Sequence, residues 1–225
     1  MEIKPIAIFK SPFPKKFGIP KQSGLVEEID GYIIFEPKFS NLDFFRGLEG
    51  FDYIWLIWEF SANRHCKVSP LVRPPILGGN VKMGLFATRS PFRPNRIGLS
   101  SVRLKKIEVD EKNGPIIHVS GADIMDDTPI YDIKPYIQYA DSHNDIRSGF
   151  LDDNNIERLT IEIPERLKTK FSKRQLSALI KTLELDPRPQ YHENPDKIYG
   201  IQFLEYDILF KVIDRNCIVI DIKNV

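Results

Sequence analysis

The residues best equipped for chemistry crowd into one short stretch, Gly84 to Ser100, GLFATRSPFRPNRIGLS. Arg89, Arg93 and Arg96 stand there around Pro91 and Pro94, with Asn95 and the hydroxyls of Thr88, Ser90 and Ser100 among them. Proline fixes the backbone and removes a donor, so the stretch reads as a stiff cationic loop between two strands. A planar guanidinium fork suits phosphate and carboxylate groups. The chemistry on offer is therefore capture of an anion. The surroundings agree: from Arg64 to Lys106 there are ten Lys or Arg and no Asp or Glu, with Glu59 and Glu108 as the bracketing acids. In a chain of net charge +1 that asymmetry marks a basic face. A second polar group follows. Asp123, Asp126 and Asp127 lie in an acidic turn that runs into YDIKPYI, Tyr131 to Ile137, with Asp132 and Lys134.

Strand pairing brings these two groups together. Gly98 to Val109 alternates at Val102, Leu104 and Ile107, Asn113-Gly114 is a hairpin signal, and Ile116 to Ile124 is the returning strand. Antiparallel pairing sets Gly98 beside Ile124. Arg89, Asn95 and Arg96 then share a rim with Asp123, Asp126, Asp132 and Lys134. Such a rim suits a salt-bridge network as well as a functional site.

The remaining elements frame it. Ile3 to Phe9 and Gly31 to Phe35 read as strands, and Leu42 to Leu48 as a helical turn. Phe51 to Phe60, FDYIWLIWEF, reads as a buried central strand with Trp55 and Trp58 in the core. Val68 to Gly79 is a Pro/Gly loop, and Val81 to Thr88 a strand leading into the arginine loop. Lys10 to Gly24 reads as a plain surface loop, although its small residues let a ligand approach closely. Many short strands argue for an all-β barrel or sandwich. Ser142 to Asn155 is polar and linker-like. Ser172 to Gln175 is a capping box ahead of Leu176, Leu179, Ile180 and Leu183 at helical spacing. Asp186-Pro187 stops that helix. The strands Tyr199 to Leu204, Asp207 to Ile213 and Cys217 to Ile222 complete a helix plus three-stranded meander.

Several function classes fall away. The chain has 225 residues, enough for one large domain or one of about 150 plus a small one. It lacks GxGxxG, GxxxxGK[ST] and GxSxG motifs. Its four histidines show no metal-ligand spacing, and His118 reads as structural. Cys66 and Cys217 have no partner spacing, which fits a reducing compartment. The longest apolar run, Tyr53 to Trp58, is too short to span a bilayer. No membrane, no metal and a cytoplasmic location are expected.

FATRSPFRPNRIGLS together with DTPIYDIKPYI resembles the paired signature of the TsaA-like (YaeB, or TrmO) family. IFKSPF, PKQSGLV, RGLEGF, LVRPPILGGN and LDPRPQY look similar too, so the resemblance spans nearly the whole chain. It implies an S-adenosylmethionine-dependent tRNA methyltransferase acting on the adenosine 3′ to the anticodon, at N6 of N6-threonylcarbamoyladenosine. It implies a mainly β fold: a single-sheet β-barrel domain over 1–145, a linker over 146–163, and a small α+β domain over 164–225 that helps hold tRNA. It also implies a homodimer with the cofactor near the interface. The implied cofactor contacts are Gln22, Ser23 and Gly24; Ser61 and Ala62; Arg89 and Leu99; and Gly121, Ala122, Asp123 and Ile124. Ser61 stands where many members have His, Arg96 where RPNPIG has a proline, and Asp127 where DGTP has a glycine; Asp tolerates the left-handed conformation. Asp126 and Asp132 are the candidate bases for the target nitrogen. Arg93, Asn95, Arg96, Lys134 and Tyr136 are candidates for holding RNA phosphate, the threonyl carboxylate or the base. Phe92 or Tyr136 suits stacking on a splayed base. Two alternatives stay open: a non-catalytic RNA-binding barrel, and an enzyme for a phosphorylated small molecule.

Overall fold

The computed structural model describes residues 2–153, 157–188 and 194–225. Asn154 and Asn155 of the linker-like stretch, Pro189 to Tyr191 of the LDPRPQY motif and His192 lie outside them. The chain forms β1 (Ala7–Lys10), β2 (Asp30–Phe35), β3 (Tyr53–Glu59), β4 (Leu71–Val72), β5 (Met83–Gly84), β6 (Ile97–Asp110), β7 (Gly114–Ser120) and β8 (Thr128–Pro135). Among the described residues, β1-β2-β7-β6-β3-β8 close into a barrel. Every pair in it is antiparallel. The aromatic run chosen as the central strand is β3, between β6 and β8. Period two sends Ile54, Leu56 and Trp58 inward and leaves Tyr53, Trp55 and Ile57 half-buried on the outer face. Phe9, Ile33, Val102, Ile117 and Ile130 fill the interior with them.

Some boundaries move for local reasons. The returning strand stops at Ser120 rather than Ile124, because Gly121 turns the chain at φ +78°. The strand expected over Val81 to Thr88 is only β5, paired with β4. A 3-10 turn, Leu85–Ala87, follows it and buries Leu85. The arginine loop is therefore entered from a turn and left through β6. β8 begins at Thr128, three residues earlier than Tyr131.

Beyond the barrel come α1 (Gln138–Asp141), β9 (Thr160–Glu162), α2 (Glu165–Lys168), α3 (Lys173–Glu184), β10 (Tyr199–Phe203), β11 (Tyr206–Ile213) and β12 (Asn216–Asn224). The sheet order is β10-β11-β12-β9, with β9 parallel to β12. The stretch expected as a linker thus ends in a fourth strand beside the three-stranded meander. α3 starts at its capping box: Ser172 Oγ accepts from the Gln175 N–H, and Gln175 Oε1 from the Ser172 N–H. Leu179 and Leu183 bury its apolar face in a second core with Ile201, Phe203, Ile208 and Phe210. Phe13, Val26 and Ile29, from the segment between β1 and β2, belong to that same core. This segment is therefore not a plain surface loop. Among the described residues no helix is long and apolar enough to cross a membrane.

Candidate cofactor and RNA site

The segment between β1 and β2 is fastened to the acidic turn at the barrel rim. The Gly24 N–H donates to the Gly121 carbonyl at 2.8 Å, and the Gly121 N–H to the Ile29 carbonyl at 2.9 Å. The Ser23 N–H donates to the Asp123 carboxylate. From the barrel side, Ser100 Oγ donates to Asp123 Oδ1 at 2.6 Å and itself accepts from Trp58 Nε1 at 3.0 Å. Trp58 reaches Ser100 by lying across Gly98, where a Cβ would stand 2.3 Å from the ring. Burial pushes the Asp123 carboxyl above its ordinary range, against the pull of Ser100, Ser23 and Arg89. Arg89 Nη1 donates to Gln22 Oε1 above it. The structure thus gathers Gln22, Ser23, Gly24, Arg89, Gly121 and Asp123 from separate segments. Ala122 and Ile124 are buried in the barrel core, so they can offer a ligand only backbone.

The other candidates are set apart from this cluster. Leu99, Ile57 and Asp132 are cross-strand partners on the outer face of β6-β3-β8, and Ser101, Trp55 and Lys134 form the next row. Leu99 is 56% exposed. Tyr136 lies beyond, its ring 5.6 Å from Trp55 and 6.3 Å from Tyr53. The expected closeness of Asp132 and Lys134 to Arg89 and Arg96 does not follow from this register. From Thr128 to Lys134 the strand carries the chain about 20 Å along the barrel, at roughly 3.3 Å per residue.

The two candidate bases differ in their engagement. Asp126 accepts from Lys10 Nζ on one oxygen and from the Ser11 N–H on the other, both at 2.9 Å. Asp127, at φ +57°, also accepts from Lys10, at 2.8 Å. Burial lowers the Lys10 ammonium, but the hydrogen bonds to Asp127 and Asp126 leave it above its ordinary value. Asp126 is thus a clasp between the end of β1 and the turn. Asp132 is half-exposed, accepts from the adjacent Ile133 N–H at 2.9 Å, and stands 3.3 Å from Lys134 Nζ.

In the arginine loop, Arg93 Nη1 donates to the Thr88 carbonyl at 2.7 Å, and its guanidinium lies 5.9 Å over the exposed Phe86 ring. Arg96 adopts φ +49°, which a proline ring cannot reach. It donates to the Arg64 carbonyl at 2.7 Å, while its own carbonyl accepts from the Phe60 N–H at 2.9 Å. That bond ties the Ser61–Asn63 turn, with Ser61 and Ala62, to the loop. Beneath them, Glu59 takes both prongs of Arg64, at 3.1 and 2.8 Å. Hydrogen bonds from Arg64 and then the Tyr131 hydroxyl hold the Glu59 carboxyl below its ordinary range. A register shift between Ile57 and Trp58 turns Tyr131 toward Glu59. Trp58, Ser100, Glu59 and Tyr131 support the site and were not among the expected residues. The signal for the first two was the small residue Gly98 opposite a large aromatic.

Residues 8–142 match the tRNA-methyltransferase O N-terminal domain, and residues 156–225 the TrmO C-terminal domain. The chain is 36% identical over 222 residues to the tRNA (adenine(37)-N6)-methyltransferase of Escherichia coli strain K12, covering 95% of this chain and 94% of that protein. It is 35% identical over 217 residues to the putative S-adenosylmethionine-dependent methyltransferase RcsF of Pseudomonas aeruginosa, covering 92% and 90%. A crystal structure of TrmO from Pseudomonas aeruginosa matches with a TM-score of 0.80 at 30% identity, over 100% of this chain and 97% of that one. With both of its parts matched and its full length paralleled in sequence and fold, the chain belongs to the TrmO family of tRNA methyltransferases.

Proposed function

We propose that the chain transfers a methyl group from S-adenosylmethionine to N6 of adenosine 37 in tRNA, on adenosine that already carries the N6-threonylcarbamoyl group. The observation that carries this reading is the cluster at the rim: a half-buried carboxylate, Asp123, meets the loop Gln22-Ser23-Gly24. That cluster suits the cofactor. Gly24 stands at φ +81° with nothing within 4 Å of where a side chain would begin, so the loop presents bare backbone beside the carboxylate. Leu99 offers an exposed apolar contact and the Ser61-Ala62 turn further backbone. S-adenosylmethionine, when bound, supplies an electrophilic methyl group on a sulfonium. Holding the nucleophile in line with that group is worth several kcal/mol.

The protein's own residues divide the remaining work. Arg93, Asn95 and Arg96 hold RNA phosphate or the threonyl carboxylate, as guanidinium forks do. Lys134 and Tyr136, beside Trp55, present a cation and a stacking ring to RNA on the outer face. Of the two candidate bases Asp132 is the more accessible, since Asp126 is committed to Lys10 and Ser11. The exposed apolar residues Ile97, Leu99 and Phe86 support a homodimer that covers them. A reducing, cytoplasmic setting fits two unpaired cysteines, of which Cys217 is buried with its thiol pushed up to about 12.

The test is a methylation assay on tRNA with and without the threonylcarbamoyl group. The expected result is a gain of one methyl mass, only on the modified tRNA, together with calorimetric binding of S-adenosylmethionine. Absence of both sinks the reading. RNA affinity indifferent to S-adenosylmethionine identifies a non-catalytic RNA-binding barrel instead.

A further inference from the structure

Residues 11–29 carry the loop that meets Asp123, yet they rest on the second core rather than on the barrel. Phe13 meets Phe203 edge-on at 5.5 Å, and Val26 and Ile29 are buried beside it. The Leu204 N–H donates to the Pro12 carbonyl at 2.7 Å. Gly18 abuts Ile201 so closely that a Cβ would stand 3.0 Å from the Ile201 Cβ. The returning arm is held by α3. Arg174, in its first turn, donates to both Asp30 oxygens, at 2.6 and 2.8 Å, and to the Glu27 carbonyl at 3.1 Å. Lys181, seven residues on and so on the same helix face, pairs with Glu28. Irregular backbone has no ladder of its own to fix it. The rim holds the loop's tip, and α3 holds the arm that brings the tip to the rim.

We propose that Arg174 is a positioning residue for the cofactor site. By clamping Asp30 and the Glu27 carbonyl it sets the returning arm, so that the Ser23 and Gly24 amides meet Asp123 and Gly121. It touches neither cofactor nor RNA. The cofactor half of this proposal rests on the reading of the rim as the S-adenosylmethionine site; the loop half does not.

The experiment uses the full chain with Arg174→Glu, Asp30→Arg and the double swap. Three quantities are read: amide exchange at Ser23 and Gly24 in the ligand-free protein, calorimetric affinity for S-adenosylmethionine, and affinity for tRNA. Arg174→Glu is expected to speed exchange at both amides and to weaken cofactor binding about fivefold, with a smaller effect on tRNA. The double swap restores the first two, because the charges again oppose. Arg174→Lys restores them only in part, since an ammonium cannot form the fork. Unchanged exchange and cofactor affinity in Arg174→Glu, with tRNA affinity reduced, make Arg174 an RNA contact and overturn the proposal. Wild-type protein that binds no S-adenosylmethionine overturns the proposed function, while exchange at the two amides still decides whether Arg174 positions the loop. Should charge reversal prevent folding, Arg174→Gln carries the same measurement, and unchanged exchange there is equally decisive.

Discussion

Asp123 is a half-buried carboxyl whose proton is held more tightly in the folded chain than in the unfolded one. The consequence for stability has a definite sign. Between the ordinary value of 3.8 and the raised one, the folded state binds more protons, so stability falls as pH rises through that window. Above it, the ionised group is a standing cost of burial. Asp123→Asn is neutral throughout and keeps an acceptor for Ser100. It is expected to melt higher than the parent at neutral pH, with the gap closing on acidification below 3.8. Its affinity for S-adenosylmethionine should fall at least about tenfold, as expected for loss of a charged hydrogen-bond partner. Thermal melts across pH and calorimetry check both, and parallel pH profiles for the two proteins would contradict the assignment. The role of Asp123 stood out in the sequence only as a cofactor contact implied by the family resemblance, in the stretch that enters the acidic turn. Its support was not legible: Ser100 is one hydroxyl in a strand, and only the fold sets it between Trp58 and Asp123. The same limit applied to the candidate bases. Asp126 and Asp132 read alike in sequence, and only tertiary contacts occupy the first.

β6 is the element that links the arginine loop to the site, and its first residues show how closely it is fitted. A methyl added at Gly98 meets the Trp58 ring at 2.3 Å. Gly98→Ala should therefore destabilise by about 1–3 kcal/mol and break the hydrogen bond from Trp58 to Ser100. Denaturant titration with tryptophan emission reads both effects; a variant with parental stability and emission would show that the strand has slack. β2, β3 and β6 could be read from the sequence because β-branched and aromatic residues recur at period two between turn signals. The entry to the arginine loop could not. Leu85-Phe86-Ala87 has strand composition, but its backbone closes a 3-10 turn with Leu85 buried. β9 is three residues long, too short to carry a period, and its partner β12 lies more than fifty residues downstream.

For the molecule as a whole, a net charge of +1 conceals a division of labour. The acid-free run from Arg64 to Lys106 contains the arginine loop together with β4, β5 and the first residues of β6 that flank it. Binding of tRNA should accordingly weaken steeply with salt. Arg93→Ala should flatten the slope of log affinity against log salt by about 0.7, the value for one phosphate contact on single-stranded RNA. An unchanged slope would remove Arg93 from the RNA interface. The β-rich class and the helix-plus-meander were legible because each has its own periodicity. The packing of the segment between β1 and β2 into the second core was not. Phe13, Phe17, Ile19, Leu25, Val26 and Ile29 follow no period among prolines, glycines and lysines, so their shared destination in the second core shows only in three dimensions. This shared core bears on how the chain comes off the ribosome. Phe13 is made early, but Phe203, against which it packs, emerges 190 residues later. The barrel strands are complete by Pro135, while the loop that meets Asp123 must wait for α3 and β10. A nascent chain stalled between the two is expected to have every barrel strand but no second core to cover Phe13, Val26 and Ile29. The two matched parts are thus finished in one order and made competent in another.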